Sequence, residues 1–529
     1  LPGPHDPKRL LTIDPVVEFS TFLGGISLDA SRAIAVDDSG VYVAGFTQSL
    51  DFPSAGGVPA NPVLPIDVFV AKFDLTGTRL LFSTILGGEA GDEAFAMAIA
   101  PGGDLLVAGG SESTGFPAST SAFQRLPADV SSGNGDAFVA RLGSTDGRLI
   151  AATFLGGAGR DAALSIATQA DGSVFAGGET AANNFPARRS FRNEPCADAG
   201  FDGWLARLSP DLSRLDWAAY VCGDGPDRVT GVAAIPGGGL VAVGDTQSVN
   251  FPTSSNRFRT LTEGDRDAFF LRLPSDGAAL TFATFLGGRE SDVARGVSVN
   301  AAGNAYVVGD TFSPDFPGVA AGAVSALSAD AFVALIDPQN RLAASRRFGG
   351  SAADSAFAVA ATADRVYVAG QTASPAFPVT SSVCQTGFGG GIDAFLSVFH
   401  ANLSTLASGL FLGGSADDSA RAVSVRGGIA YVAGETGSSN FPTTAGAFRP
   451  AYAAGFRGIR DSFVAAISES AQPVPPCIAL NGVVNGATFR PGPLAPGEIV
   501  SIFGAGLGPP QLAGLNLGRG FVTTEIART

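Results

Sequence analysis

Histidine and lysine are nearly absent from this chain. Histidine occurs twice, as His5 and His400, so a multi-histidine metal centre is excluded. Lysine also occurs twice, as Lys8 and Lys72, and arginine carries nearly all the positive charge. With a net charge of −15, nucleic acid is excluded as a partner, because binding it needs a basic face to displace counterions. The four cysteines, Cys196, Cys222, Cys384 and Cys477, include no CxxC pair, which argues against a structural zinc site. No apolar run reaches the ~18 residues of a membrane helix, so no transmembrane segment is expected. Leu1 opens a polar, Pro-containing tail rather than a signal peptide, and the expectation is a removed leader or a fragment.

Glycine (71) and proline (33) are plentiful, 45% of residues are hydrophobic and only 15% are charged. That balance favours many short strands joined by tight turns. The stretch VYVAGFTQSLDFP (Val41–Pro53) returns six more times, ending with AYVAGETGSSNFP (Ala430–Pro442). An FLGG-like marker accompanies it, with its first position at Phe22, Ile85, Phe154, Tyr220, Phe285, Arg347 and Phe411. A period near 65 residues is too long for a solenoid coil and suits four short strands with turns. In each unit the first strand is small and apolar, as in RAIAV (Arg32–Val36), the second is the VYVAG element, and the third opens with Asp, as in DVFVAKF (Asp67–Phe73). The fourth runs into the next marker, as in RLLFSTILGG (Arg79–Gly88). Period-two alternation along these runs indicates strands.

The ends decide between an open stack and a ring. An orphan fourth strand, VVEFSTFLGG (Val16–Gly25), precedes any first strand, while the last unit ends after its third strand, DSFVAAI (Asp461–Ile467). Pairing the two completes seven four-stranded sheets and removes the unpaired terminal edges. The expected fold is all-β: a seven-bladed β-propeller of antiparallel blades, the last closed by the N-terminal strand. Small residues on one face of every first strand, such as Ala33 and Ala35, fit blades crowding toward an axis.

Residues present in all seven copies are expected to build the blade. The glycines Gly45, Gly109, Gly178, Gly244, Gly309, Gly370 and Gly434 allow a bulge, a positive φ or a close backbone approach. The hydroxyl two residues on, as in Thr47, bonds local backbone, Phe52 and its counterparts plug apolar space between blades, and Pro53 and its counterparts end the strand. Two Asp series recur: Asp29, Asp92, Asp161, Asp227, Asp292, Asp354 and Asp418 after the marker, and Asp67, Asp136, Asp202, Asp267, Asp330, Asp393 and Asp461 at the third strand. They read as turn carboxylates accepting backbone N–H bonds. Without these fourteen, the net charge would be −1 rather than −15, so the acidity reflects turn chemistry. A carboxylate ring for acid–base work or for calcium is the functional alternative, and no loop has EF-hand oxygen spacing. No catalytic residue, metal ligand or cofactor other than such a calcium ion is indicated.

Function is expected in what does not repeat. The Phe-Pro-to-Asp loops vary most, as in Ala118–Gly135 and Ala187–Phe201, and should share a face with the marker loops. At the start of the innermost strand, Arg32, Arg295 and Arg421 stand where other copies have Phe95, Leu164, Thr230 and Phe357. These arginines are the ligand-binding candidates, for an anionic group. Cys196 and Cys222 should meet at one corner of blade 3, close enough for a disulfide, which suits an extracytoplasmic setting. Cys384 and Cys477 have no comparable argument.

The register of FLGG…D…G-x-V-Y-V-x-G-x-T…FP…DAFV over Val16–Ser468 resembles the SBBP family of bacterial β-propeller repeats. The resemblance implies a secreted or surface-attached bacterial protein and supplies no catalytic residues. After AQPVPP (Ala471–Pro476), VVNGATFRPGPLAPGEIVSIFGAGLGPP (Val483–Pro510) is similar to the start of a TIG-type immunoglobulin-like module of secreted acidobacterial proteins, with a strand at Glu498–Phe503. The domain reading is a tail (1–15), propeller (16–470), linker (471–476) and truncated β module (477–529). The functional expectation is a secreted or cell-surface scaffold that binds protein or glycan through one propeller face. The rival is an extracytoplasmic lyase or hydrolase acting on polysaccharide near the axis.

Overall fold

In the computed structural model, residues 14–57, 66–129, 134–196, 200–257, 265–318, 328–380, 387–453, 459–470, 477–485 and 500–505 are described. They form seven four-stranded antiparallel sheets and one two-stranded sheet. The innermost strands of blades 1 to 7 are Asp29–Asp37, Asp92–Ile99, Asp161–Thr168, Asp227–Ala234, Asp292–Val299, Asp354–Ala361 and Asp418–Arg426. Each contacts the innermost strand of both neighbouring blades, and the cycle closes between blades 7 and 1. The outer strand of blade 7 is Asp14–Leu23, antiparallel to Asp461–Ser470 with Val16 opposite Ser468 and Phe22 opposite Phe463. The ring is therefore sealed by the N-terminal strand, as expected.

The small residues of the innermost strands allow these strands to crowd. A Cβ on Gly296 would lie 3.0 Å from the carbonyl oxygen of Phe357 in the next blade. Ser165 and Ser298 instead use the proximity, accepting the N–H of Val232 (2.9 Å) and Ala361 (3.2 Å) across blade boundaries. The Phe of each Phe-Pro pair packs on the third strand of its own blade and, as expected, lies in an apolar cluster shared with the preceding blade. Phe52 lies on Phe69, Phe185 on Trp204 and Phe377 on Phe395, with centroids 4.4–5.0 Å apart. Such pairs contribute about 0.5–1.5 kcal/mol each beyond their buried area.

The recurring glycines owe their identity to close approach. Every innermost strand carries a bulge that leaves one residue without a partner, as between Ser31 and Ala33. The bulge drives a carbonyl toward the second strand. A Cβ on Gly45 would meet Ala30 O at 1.9 Å, and the other six glycines would meet the equivalent oxygen at 1.8–2.0 Å. No side chain fits there.

The described parts of the variable loops do not stand over the propeller face. They run down its side, beside the outer strands. The Ser119 N–H donates to Ala152 O (2.9 Å), the Phe154 N–H to Gln124 O (3.0 Å), and Arg188 exchanges two bonds with Ala218. Outer edges that would otherwise offer unpaired backbone are thereby covered. Their variety is the variety of an edge cover, which needs a path along the strand more than a fixed sequence. Parts of both long loops, 130–133 and 197–199, lie outside the described residues.

Beyond the propeller, Cys477–Asn485 pairs antiparallel with Val500–Ala505. Of the strand expected at Glu498–Phe503, the part from Val500 on is described and is a strand, while residues 498–499 lie outside the described residues. The linker 471–476, Cys384 and the Cys477 side chain lie outside the described residues.

Candidate functional site

The Asp series form the frame from which the site is built. Asp29 accepts the backbone N–H of Gly25 (2.7 Å) and the hydroxyl of Ser49 (2.7 Å). The Gly bond recurs at Asp92, Asp161, Asp227, Asp292, Asp354 and Asp418, at 2.7–2.9 Å. The Thr47 hydroxyl and its six counterparts accept the N–H two residues on, at 2.9–3.2 Å. The third-strand series takes loop N–H groups, as when Ala128 donates to Asp136 (2.8 Å) and Gly389 to Asp393 (2.6 Å). Across each boundary the two series meet around the marker's first glycine. A Cβ on Gly24 would lie 1.9 Å from one Asp461 oxygen and 2.6 Å from one Asp29 oxygen. Burial, with the neighbouring carboxylate, pushes Asp461 up to about 7, and burial pushes Asp29 up to about 6.

In blade 3 the corner is locked differently. Cys222 replaces a marker glycine and forms a disulfide with Cys196, with Cα atoms 6.1 Å apart. Cys196, Asp202 and Cys222 are the one metal-like grouping of three such side chains among the described residues, and the disulfide removes both thiolates.

The bulge places the candidate arginines. Its unpartnered residues are Arg32, Phe95, Leu164, Thr230, Arg295, Phe357 and Arg421, the positions the sequence singled out. A bulge re-aims its extra side chain out of the ladder, and on innermost strands that direction is the channel mouth. The arginines do not pair with the recurring Asp series. They pair with acids in the slot between the recurring Gly and hydroxyl, occupied by Phe46, Gly110, Glu179, Asp245, Asp310, Gln371 and Glu435. Sequence reasoning overlooked this slot and noted only arginines as unrepeated charge near the axis. Its variation between two constant residues was the available signal.

Three arginines converge on one oxygen of Glu435: Arg421 at 2.8 Å, Arg460 at 2.9 Å and Arg32 at 3.5 Å. Burial alone would raise Glu435, but these cations outweigh it and hold the carboxyl below its usual range. Arg421 is lowered by burial and by the neighbouring Arg32 and Arg460. Its guanidinium also lies over Phe357, 4.3 Å from the centroid, and Arg295 covers the same ring at 5.3 Å. Arg295 Nη2 donates to Asp310 (3.1 Å), while Arg228 (3.0 Å) and Arg266 (3.3 Å) flank Asp245. In each group the carboxylate is the buried partner and the arginine the exposed one: Glu435 is 5% exposed, Arg32 and Arg421 25%. An approaching ligand therefore meets guanidinium donors. The disulfide and this mouth are the features that bear on function. Among the described residues no helix is long and apolar enough to cross a membrane.

No family model matches the chain, and no curated protein matches it. Solved structures do. The WD40 β-propeller domain of Doa1 is 11% identical with a TM-score of 0.40, covering 86% of this chain and 98% of that one. The quinohemoprotein alcohol dehydrogenase of Comamonas testosteroni is 11% identical with a TM-score of 0.41, covering 87% and 78%. A PL25 ulvan lyase bound to -[GlcA(1-4)Rha3S]- is 10% identical with a TM-score of 0.40, covering 78% and 92%. None of these likenesses carries a residue role to this chain.

Proposed function

We propose that this chain is an extracytoplasmic scaffold whose channel mouth, on the marker-loop face, binds an anionic group of a protein or glycan. One observation carries the reading: Arg32, Arg421 and Arg460 share the carboxylate of Glu435, and with Asp417 also beside Arg460 (3.7 Å) three guanidiniums face two carboxylates, leaving guanidinium charge for a carboxylate, sulfate or phosphate. Guanidinium forks suit such groups because they donate in parallel pairs. Phe357 and Phe46 lie beside these arginines and offer apolar area to a sugar ring or side chain. The Cys196–Cys222 disulfide supports an oxidising compartment. The SBBP-like register of the repeats agrees with a secreted or surface-attached protein.

The test presents the full chain to sulfated and uronate-bearing oligosaccharides and to acidic peptides. Binding is expected to weaken at least tenfold in Arg421→Met and with rising salt. Equal binding by this variant, or a preference for neutral glycans, refutes the reading. A second reading, a polysaccharide lyase or hydrolase, draws on the unrepeated carboxylates Glu93 and Glu179. Both are raised by burial, as a general acid would be. Turnover of an acidic polysaccharide, abolished in Glu93→Gln, would favour it.

A further inference from the structure

The charged side chains of the mouth divide into two groups. Arg32, Arg228, Arg266, Arg295, Arg421 and Arg460 all have a carboxylate within 4 Å. On blades 2 and 3, Glu93, Arg160 and Glu179 share one neighbourhood without direct pairing: among the described residues none has an ion-pair partner within 4 Å. Arg160 acts electrostatically on both acids, and Arg32 also acts on Glu93. Glu93 and Glu179 are half-buried, whereas Arg160 is exposed; carboxylates left unpaired at that depth are costly, and such a cost commonly marks a site that needs them free.

A cavity of about 140 Å³ lies there, lined by Glu93, Phe95, Gly110, Glu112 and Arg160 among others. That is room for roughly four or five waters. Gly110 helps to open it. In the same slot, Glu179, Asp245, Asp310, Gln371 and Glu435 fold normally on the other blades. A Cβ on Gly110 would meet nothing nearer than 3.8 Å, so the blade does not demand glycine here, unlike at Gly109 one residue before. Gly110 leaves empty what a side chain would fill.

We propose that this cavity is a binding site for a small zwitterion, with Arg160 taking its carboxylate and Glu93 its ammonium. Adjacent groups of opposite sign suit a ligand with the two charges a few ångströms apart, as in an α-amino acid, and Phe95 faces its apolar part. Both acids are raised by burial, consistent with carboxylates awaiting a cation. The proposal deepens the reading of the mouth as a binding surface and uses different residues from the arginine cluster.

The experiment is calorimetric titration of the full chain with L-alanine, N-acetyl-L-alanine and L-alaninamide. The zwitterion is expected to bind at least tenfold more tightly than either singly charged derivative. Gly110→Gln, which reproduces the residue at position 371, and Arg160→Gln should each abolish that binding while retaining the native melting transition. Equal binding of the three compounds, no binding of L-alanine at 10 mM, or unchanged binding in Gly110→Gln overturns the proposal. Arg421→Met separates the two readings: it should abolish sulfated-oligosaccharide binding and leave L-alanine binding intact.

Discussion

Stability should fall as pH rises through neutrality, because carboxylates face each other at the blade boundaries. Burial pushes Asp92, Asp136 and Asp418 up to about 6, and Asp161, Asp227 and Asp393 up to about 7. Asp461 rises from 3.8 to about 7. At 1.36 kcal/mol per pK unit, ionising Asp461 alone costs on the order of 4 kcal/mol well above pH 7. The carboxylates near 7 therefore keep part of their protons at neutral pH, while those near 6 have largely ionised. The folded values lie above the unfolded one. The native state therefore binds more protons between about pH 4 and pH 7, and stability decreases as pH rises across that window. Each retained proton steepens the decline by about 1.4 kcal/mol per pH unit. Denaturant unfolding at pH 5.5, 6.5 and 7.5, at fixed ionic strength, measures the slope. Asp461→Asn keeps an acceptor for the Ala453 N–H and removes one titrating partner. It should raise stability at pH 8 by about 1–3 kcal/mol and flatten the slope. Stability that is constant or rises from pH 5.5 to 8 would refute the reasoning. In acid the arginine bridges to Glu435, whose carboxyl is held below its usual range, are lost and oppose the trend.

Gly309→Ala drives a Cβ to 1.8 Å from Val293 O and should cost about 3 kcal/mol; a melting temperature within 2 °C of the parent would refute the close-approach account. Cys196→Ser with Cys222→Ser opens a loop spanning 26 residues and should cost about 2–4 kcal/mol by denaturant unfolding. Arg347 occupies the slot of the marker aromatic, buried, with Nε 3.4 Å from Asp330. Arg347→Phe restores the repeat but removes one partner of a buried pair and leaves Asp330 uncompensated, so it should destabilise by about 3–5 kcal/mol; a gain in stability would refute this.

The frame was legible because it repeats. Seven copies expose a requirement that one would hide, and the surplus Val16–Phe22 segment at one end answered the strand missing at the other. The arginines were found because they interrupt a run of apolar residues at one repeat position. Their partners were missed because they stand at a different repeat position, on the next strand of the same blade for Arg295 and Arg421 and across the blade boundary for Arg32. The Ser49 series escaped for a related reason. Its hydroxyl reaches Asp29, a strand away, and one copy, Ala182, lacks it. The side-hugging course of the variable loops left no periodic signal, since backbone bonds to an edge ask little of side chains.

Closure by the first strand has a temporal cost. Val16 leaves the ribosome 445 residues before Asp461, the first residue of its partner strand Asp461–Ser470. At 5–20 residues per second this is a wait of about 20–90 s. Throughout that time an adhesive β-segment has no mate, and blades 1 to 6 stand as an unclosed arc. Premature termination anywhere before the final strand would leave the first strand without its mate on every molecule, an exposed edge prone to association.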